Sequence, residues 1–324
     1  MRRFPEIIEF QTHNLCNAGC IICPYEKTKE FRLKGNNDFA FINKIVEEVK
    51  LSDGQVRRLI PYLNNEPLLD RDIFEKIEYI KKQIPEIEVE LSTNLSKFSD
   101  VGFTRLLRNN HVDDLRISVF GGNETTYRMM MPRLNFSNVR KNILKLKEIH
   151  ENTGSKTKVC LVCVAYEHLD VVKTIEELKA IVDGYFDVRV FGYLDRAGNC
   201  TDKNDKIFNP DEYELDGCSL LRNSERMCIT ANGNTILCSQ DWMETGGYGN
   251  IKDSSIEELW VSSKKALLDK QVQGIACSSS DFICKDCKLA NVKNCSSTVL
   301  NFNGDKYISK DDHKKSNILS ALEE

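Results

Sequence analysis

No stretch of this chain stays apolar long enough to cross a bilayer. The longest such run, residues 159–166, falls far short of the roughly 20 residues a spanning helix needs. The opening Met1-Arg2-Arg3-Phe4-Pro5-Glu6 lacks the apolar core of a secretion signal. Positive charge is nowhere concentrated: 45 Lys and Arg against 49 Asp and Glu give a net charge of −4, mixed in sign along the chain. Binding driven by phosphate contacts needs a basic face, so neither nucleic acid nor a membrane is an expected partner. A cytoplasmic protein is expected. With 324 residues, core size does not limit the fold, and there is room for one sizeable domain and a smaller one.

Cysteine, by contrast, is plentiful, with 13 in the chain. Cytosolic thiols are kept reduced, so clustered cysteines without a secretion signal point to thiol-ligated metal rather than disulfides. The first group is Cys16-Asn17-Ala18-Gly19-Cys20-Ile21-Ile22-Cys23, directly after a strand-like apolar segment. Thiolates are soft ligands for iron–sulfur clusters, zinc or copper(I). Structural zinc and ordinary clusters take four protein ligands. Here three cysteines stand in a C-x3-C-x2-C spacing, and no fourth is close by (His13 reads as strand-end polarity). A cubane held by three thiolates leaves one iron open to an outside ligand.

This spacing just after a first strand resembles the signature of the radical S-adenosylmethionine (SAM) superfamily. The resemblance implies a 4Fe–4S cluster on Cys16, Cys20 and Cys23, with SAM as second cofactor at the open iron. One-electron cleavage of SAM then gives a deoxyadenosyl radical that takes a hydrogen atom from substrate. Ile22 stands where the family usually has an aromatic residue. Leu63-Asn64-Asn65-Glu66-Pro67-Leu68 is similar to the family's glycine-glycine-glutamate-proline segment, with asparagines for both glycines. Asparagine tolerates left-handed backbone angles better than other non-glycine residues. Asn65 and Glu66 would then hold the SAM amino group. Leu91-Ser92-Thr93-Asn94-Leu95 sits where the family has a Thr-Asn-Gly-like stretch. Ser92, Asn94 and Ser118 are the implied ribose or carboxylate contacts, although serine and asparagine at strand ends also serve as caps and turn formers.

Over residues 1–200, strand-like and helix-like segments alternate, which argues for a parallel sheet with helical crossovers. The strands are expected at 6–11, 56–63, 87–93, 115–120, 159–166 and 188–193, and the helices at 39–49, 73–84, 102–108, 139–149 and 171–181. The fold class is therefore α/β, a partial (βα)6 TIM-like barrel open at one side. Ligands bind at the carboxyl ends of such strands. In the fifth strand, period-2 alternation sends Cys160 and Cys163 to opposite faces. Core packing is the favoured reading for both, and hydrogen-atom donation to a substrate radical is the sharper one. Arg196, beyond the last strand, either binds an anionic group or leads into the next domain.

A small α+β domain is expected at 201–300, followed by a solvated tail at 301–324. Asn232-Gly233 between apolar segments marks a β-hairpin. Cys218 and Cys238 flank it, and a helix around 255–270 brings back Cys284-Lys285-Asp286-Cys287. Four thiolates suit zinc or an iron–sulfur cluster equally. Behind a radical SAM barrel the arrangement resembles the twitch form of the SPASM extension, which implies one auxiliary 4Fe–4S cluster on Cys218, Cys238, Cys284 and Cys287. The full SPASM pattern breaks at Lys293, since the next cysteine is Cys295. Cys228, Cys277 or Cys295 remains an alternative ligand, above all Cys228 in place of Cys218.

The resemblance implies a radical SAM oxidoreductase, fed by a low-potential donor such as flavodoxin or ferredoxin. A four-thiolate cluster has no open iron and suits electron transfer. The favoured reaction is two-electron dehydrogenation of a carbinol or amine carbon in a small polar metabolite such as an aminocyclitol or sugar. The chain starts almost at strand one, without a leader-recognition domain, and this tilts the reading away from peptides. Tyr62, Glu167, Tyr193 and Asp195 all qualify by position as the base. The alternatives are a radical epimerase or cross-linking enzyme acting on a ribosomal peptide and, in another class, a non-enzymatic zinc-binding scaffold.

Overall fold

The computed structural model describes residues 2–30, 35, 37–166, 168–200, 218, 222–287 and 299–300. Ten strands among them form one sheet in the order β10-β6-β5-β4-β3-β2-β1-β7-β8-β9. Strands β1 (Ile7–Phe10), β2 (Arg58–Ile60), β3 (Glu88–Thr93), β4 (Asp114–Ser118), β5 (Lys158–Ala165) and β6 (Asp187–Gly192) are parallel neighbours in chain order. The sheet has two ends rather than closing, as an incomplete barrel requires. Beyond β6 lies β10 (Val299–Leu300), antiparallel.

The helices form where apolar residues recur at helical spacing. In α2 (Phe39–Lys50), which follows the single-turn α1 (Tyr25–Thr28), Phe41, Ile42, Ile45, Val46 and Val49 are buried. The Asp38 side chain caps α2 by accepting from the Phe41 N–H. Helices α3 (Ile73–Gln83), α4 (Asp100–Arg108), α6 (Phe136–Thr153) and α7 (Val171–Ile181) bury equivalent stripes. Each fully buried Ile or Leu in this layer contributes about 1.5–3 kcal/mol relative to exposure. Besides the single-turn α1, one longer helix is additional to those expected in residues 1–200: α5 (Glu124–Met130), between β4 and α6. It is closed at its start by a reciprocal capping box between Asn123 and Thr126.

Alternation along the strands gives the sheet one apolar and one polar face. Val89, Leu91, Leu115, Ile117, Leu161 and Cys163 join the core beneath the helices. Across the other face, Arg116 bridges Glu90 and Asp114, Arg58 also pairs with Glu90, and Arg189 reaches Asp114. Polar interiors of this kind survive because every charge is paired and hydrogen-bonded.

The expected domain boundary after residue 200 adjoins residues 201–217, which lie outside the described residues, as does the 301–324 tail. Beyond it, α8 (Arg222–Glu225) leads into β7 (Arg226–Ile229). Strand β7 pairs in parallel with β1, so one sheet runs through both parts. The hairpin is present as β7 and β8 (Asn234–Ile236), with β9 (Gly249–Asn250) added outside. Its connection spans residues 230–233, where the Gly233 N–H donates to the Thr230 carbonyl oxygen. The single helix expected around 255–270 is two, α9 (Ile256–Trp260) and α10 (Ser263–Gln273). Ser262 explains the break, because its side chain accepts from Lys265 N–H and starts a new helix.

Candidate functional site

The first cysteine loop leaves the carboxyl end of β1 and is tied down on three sides. The Cys16 N–H donates to the Tyr25 hydroxyl at 2.9 Å, and that hydroxyl donates to the Asn14 carbonyl oxygen at 3.1 Å. From the exit of β3, the Asn94 side-chain amide donates to Asn17 Oδ1 at 3.0 Å. Asn17 Nδ2 in turn donates to Ser96 Oγ at 2.9 Å. From the third side, the Met130 carbonyl oxygen at the end of α5 accepts from the Ile21 N–H at 3.1 Å. Gly19 makes the tight turn with φ +60°, a region side chains enter at a cost.

Cys16, Cys20 and Cys23 are all half-buried. Burial pushes the Cys16 thiol up to about 12 and Cys20 well above its ordinary value. Cys23 adds to the rise of Cys16, and Cys23 and Cys16 both add to that of Cys20, so the three thiols lie within electrostatic reach of one another. Tyr127 of α5 feels Cys20 and Glu66 after burial itself. Its hydroxyl is buried with no partner among the described residues. Native structures rarely leave such a group unpaired, and a bound group supplied from outside would satisfy it.

Glu66 sits beside this loop, with its N–H donating to the Leu15 carbonyl oxygen at 2.9 Å. The carboxylate is 3% exposed. It accepts from the Thr93 hydroxyl at 2.5 Å, from the Asn94 N–H at 2.8 Å and from the Leu68 N–H at 3.1 Å. All three donors are neutral. Burial therefore outweighs them and pushes the Glu66 carboxyl up to about 7. Asn65 Oδ1 accepts from the Leu63 N–H at 3.0 Å, while its Nδ2 is buried without a partner among the described residues. A buried carboxylate short of a cation and a buried amide short of an acceptor are what an ammonium-and-carboxylate ligand such as SAM would complete.

The remaining residues expected at this site divide. Ser92 and Ser118 are half-buried at the carboxyl ends of β3 and β4. The Asn94 side chain accepts from the Ser96 N–H at 2.9 Å as well as donating to Asn17. It buttresses the cysteine loop through these two contacts. Cys163 packs in the apolar core beneath the helices. Cys160 pairs with Arg116 across the sheet, and burial pushes its thiol up to about 12. Tyr62 donates to Glu90 at 2.6 Å, and burial followed by the Glu90 charge raises its phenol well above the ordinary range. A phenol held protonated in this way is a poor base. Glu167 lies outside the described residues.

The second cysteine group forms a separate cavity, in which Cys218, Cys238, Cys284 and Cys287 line the same space with Leu237 and Gln240. Burial pushes Cys238 up to about 12. Cys284 is raised by burial, then by Cys238 and Cys218. Cys228 is elsewhere, with its thiol donating to Glu9 at 3.7 Å on the polar face, and Cys277 is exposed. Cys295 lies outside the described residues. Among the described residues, no three His, Cys, Asp or Glu side chains converge on a single-ion site. Four thiols lining one cavity supply the donor set that a four-ligand iron–sulfur cluster needs.

The segment after β6 runs between the two cysteine groups, a connection the sequence reading missed. The Cys200 thiol donates to the Ile22 carbonyl oxygen at 3.3 Å, while Leu194 and Ala197 pack against the Cys284 and Cys287 cluster. Arg196, Ala197 and Gly198 have φ of +55°, +52° and +77°. A left-handed non-glycine residue costs about 1–2 kcal/mol, so this is a strained turn held by its surroundings.

Comparison with known proteins agrees with both parts of the chain. Residues 10–187 match the radical SAM superfamily, and residues 218–288 match the SPASM iron–sulfur cluster-binding domain. No curated protein sequence matches the chain. Among solved structures, BtrN in complex with AdoMet and 2-DOIA is similar at 16% identity, with TM-score 0.56, over 93% of this chain and 99% of that one. SuiB of Streptococcus suis bound to its precursor peptide SuiA is similar at 15% identity, with TM-score 0.62, over 89% of this chain and 70% of that one. The enzyme anSMEcpe with AdoMet and a peptide is similar at 16% identity, with TM-score 0.61, over 91% and 93%. Among the described residues, no helix is long and apolar enough to cross a membrane. With more than half its length matched, two cysteine groups in place and AdoMet-bound structures of the same fold, the chain belongs to the radical SAM superfamily and carries a SPASM-type iron–sulfur cluster-binding domain.

Proposed function

We propose that this radical SAM enzyme is an oxidoreductase that dehydrogenates a carbinol or amine carbon of a small polar metabolite, such as an aminocyclitol or sugar. In this reading Cys16, Cys20 and Cys23 hold the cluster that meets SAM, and Cys218, Cys238, Cys284 and Cys287 hold the auxiliary cluster. When bound, these groups supply a 5′-deoxyadenosyl radical for hydrogen-atom abstraction and an acceptor for the electron left behind. Glu66 holds the SAM ammonium, with Thr93 and the Asn94 N–H aiming its carboxylate and Asn65 beside it. Ser92, Asn94 and Ser118 contact the ribose or carboxylate. Of the four candidate bases Tyr62 stays protonated, and Asp195, 3% exposed at the exit of β6, takes the proton on its carboxylate. Reducing equivalents come from a flavodoxin or ferredoxin in the cytoplasm.

The observation that carries this reading is the polar sheet face, where Glu90, Arg58, Arg116, Asp114 and Arg189 form one paired network. This network lies toward the amino ends of the strands and makes the sheet interior beneath the carboxyl-end site hydrophilic, which suits a polar ligand better than apolar side chains of a peptide. BtrN, whose solved complex holds AdoMet and a small molecule, aligns over nearly all of both chains, which supports the same reading. Peptide epimerisation is the second reading, favoured by Cys160, whose position opposite Arg116 puts it on the polar face.

Anaerobic reconstitution tests both readings. About eight irons per chain, two cubanes of four, are expected, with release of 5′-deoxyadenosine on reduction with SAM. With deuterium-labelled aminocyclitols and sugars, label entering deoxyadenosine and a product two hydrogens lighter identify the dehydrogenase. Solvent deuterium at an inverted carbon of a peptide, lost in Cys160→Ala, identifies the epimerase. Zinc in place of iron, without SAM cleavage, overturns both.

A further inference from the structure

Gln240 is 1% exposed and lines the cavity of Cys218, Cys238, Cys284 and Cys287. Three of its four polar groups are accounted for. Its backbone N–H donates to Cys238 Sγ at 3.4 Å, its backbone carbonyl oxygen accepts from the Trp242 N–H at 3.0 Å, and its side-chain oxygen accepts from Arg196 Nη1 at 3.4 Å. The fourth group, Nε2, is buried with no partner among the described residues. Arginine has only donors to offer, so the atom facing Arg196 must be the amide oxygen, and this fixes the orientation of the whole group. The two N–H donors of Nε2 are thereby turned away from Arg196. A buried amide nitrogen without an acceptor is costly, and within this cavity the acceptors missing from the protein are the sulfurs of an iron–sulfur cluster.

We propose that Gln240 is a positioning residue for the auxiliary cluster, donating a hydrogen bond from its side-chain amide to a cluster or thiolate sulfur, and that Arg196 sets the direction of that amide. The proposal rests on the reading of the four cysteines as cluster ligands. Hydrogen bonds to the sulfurs, together with charge and solvent exposure, set cluster potential. A donor at sulfur favours the reduced, more negative cluster and so raises the potential. This explains why Arg196 occupies a left-handed backbone position (φ +55°): the turn after β6 brings its guanidinium to the Gln240 side chain. It also gives Arg196 a role other than holding a substrate anion.

The test uses the full chain with Cys16, Cys20 and Cys23 all changed to Ala, so that redox titration followed by electron paramagnetic resonance reads the auxiliary cluster alone. Gln240→Leu removes the donor, and Gln240→Glu keeps the oxygen for Arg196 but puts a carboxylate oxygen in place of the amide nitrogen. Both should retain about four irons and move the midpoint potential to more negative values, with Gln240→Glu moving furthest. Arg196→Lys should give a smaller shift in the same direction. Full iron loading with an unmoved potential in Gln240→Leu and Gln240→Glu overturns this inference alone. A parent without the auxiliary cluster overturns the four-cysteine reading, and this inference with it.

Discussion

The buried Glu66 carboxylate accepts the Asn94 backbone N–H at 2.8 Å, and no cation pairs with it among the described residues. This single contact joins the exit of β2 to the exit of β3 and carries a pH prediction. The Glu66 carboxyl is raised from 4.5 to about 7 by burial, so the folded protein binds a proton there that the unfolded chain has released. Its contribution to stability is present below pH 4.5 and is lost as pH rises to about 7. Without ligands, the parent should lose thermal stability over that window relative to Glu66→Gln. SAM affinity should move the opposite way, rising with pH as the carboxylate forms. Calorimetric titration across this range checks both signs, and an affinity independent of pH would count against Glu66 as the ammonium partner.

Tyr127 gives a second, oppositely directed comparison. Its hydroxyl is fully buried beside the first cysteine loop and lacks a partner among the described residues. An unsatisfied buried hydroxyl costs about 1–3 kcal/mol, so Tyr127→Phe should leave the cluster-free protein as stable as the parent or more so. Denaturant unfolding of iron-free protein measures this, and a loss of more than about 1 kcal/mol would mean that the hydroxyl already has a partner.

Residues with a local cause for their conformation were legible in the sequence. The stripe Phe41, Ile42, Ile45, Val46 and Val49 is the buried face of α2, and the strand alternation puts Cys160 and Cys163 on opposite faces. The four cysteines around the hairpin meet in one cavity although 69 residues separate Cys218 from Cys287. What could not be read was set by tertiary approach. Nothing local marks Cys200 as a neighbour of Ile22, or Gln240 as a neighbour of Arg196. Thr93 reads as an ordinary strand residue until Glu66 folds onto it. Helix α5 is too short for an apolar period, and its only signal was the Asn123 and Thr126 capping pair. The hairpin was visible as a turn dipeptide, yet its pairing with β1 was not, because a parallel partner leaves no mark in the intervening sequence.

Gly19 links backbone geometry to metal retention. Its φ is +60°, and a Cβ there would lie 2.8 Å from Arg133 Cδ. The Arg133 side chain can move aside, but the left-handed backbone remains and costs a non-glycine residue about 1–2 kcal/mol. Gly19→Ala should therefore distort the loop of Cys16, Cys20 and Cys23 and leave the second cavity untouched. Iron content should fall from about eight toward about four per chain, with deoxyadenosine release lost in parallel. Arg133→Ala, which opens the space without altering the backbone, should not rescue loading.

Lys76 and Asp70 form an ion pair at 2.7 Å with side chains only 2% and 5% exposed. Lys76 also donates to the Asn37 carbonyl oxygen at 2.7 Å, so one ammonium ties α3, the turn after Glu66 and the approach to α2 together. Removing a single partner strands a charge in the interior and costs about 3–5 kcal/mol. Lys76→Met should show that loss in denaturant unfolding. The double variant Lys76→Met with Asp70→Asn should recover much of it, because neither group is then charged. The turn that starts at Glu66 ends at the same Asp70, so Lys76→Met should also weaken SAM binding, and the double variant should restore binding along with stability. Restored stability without restored binding would show that the ion pair sets the shape of the turn in addition to holding it in place.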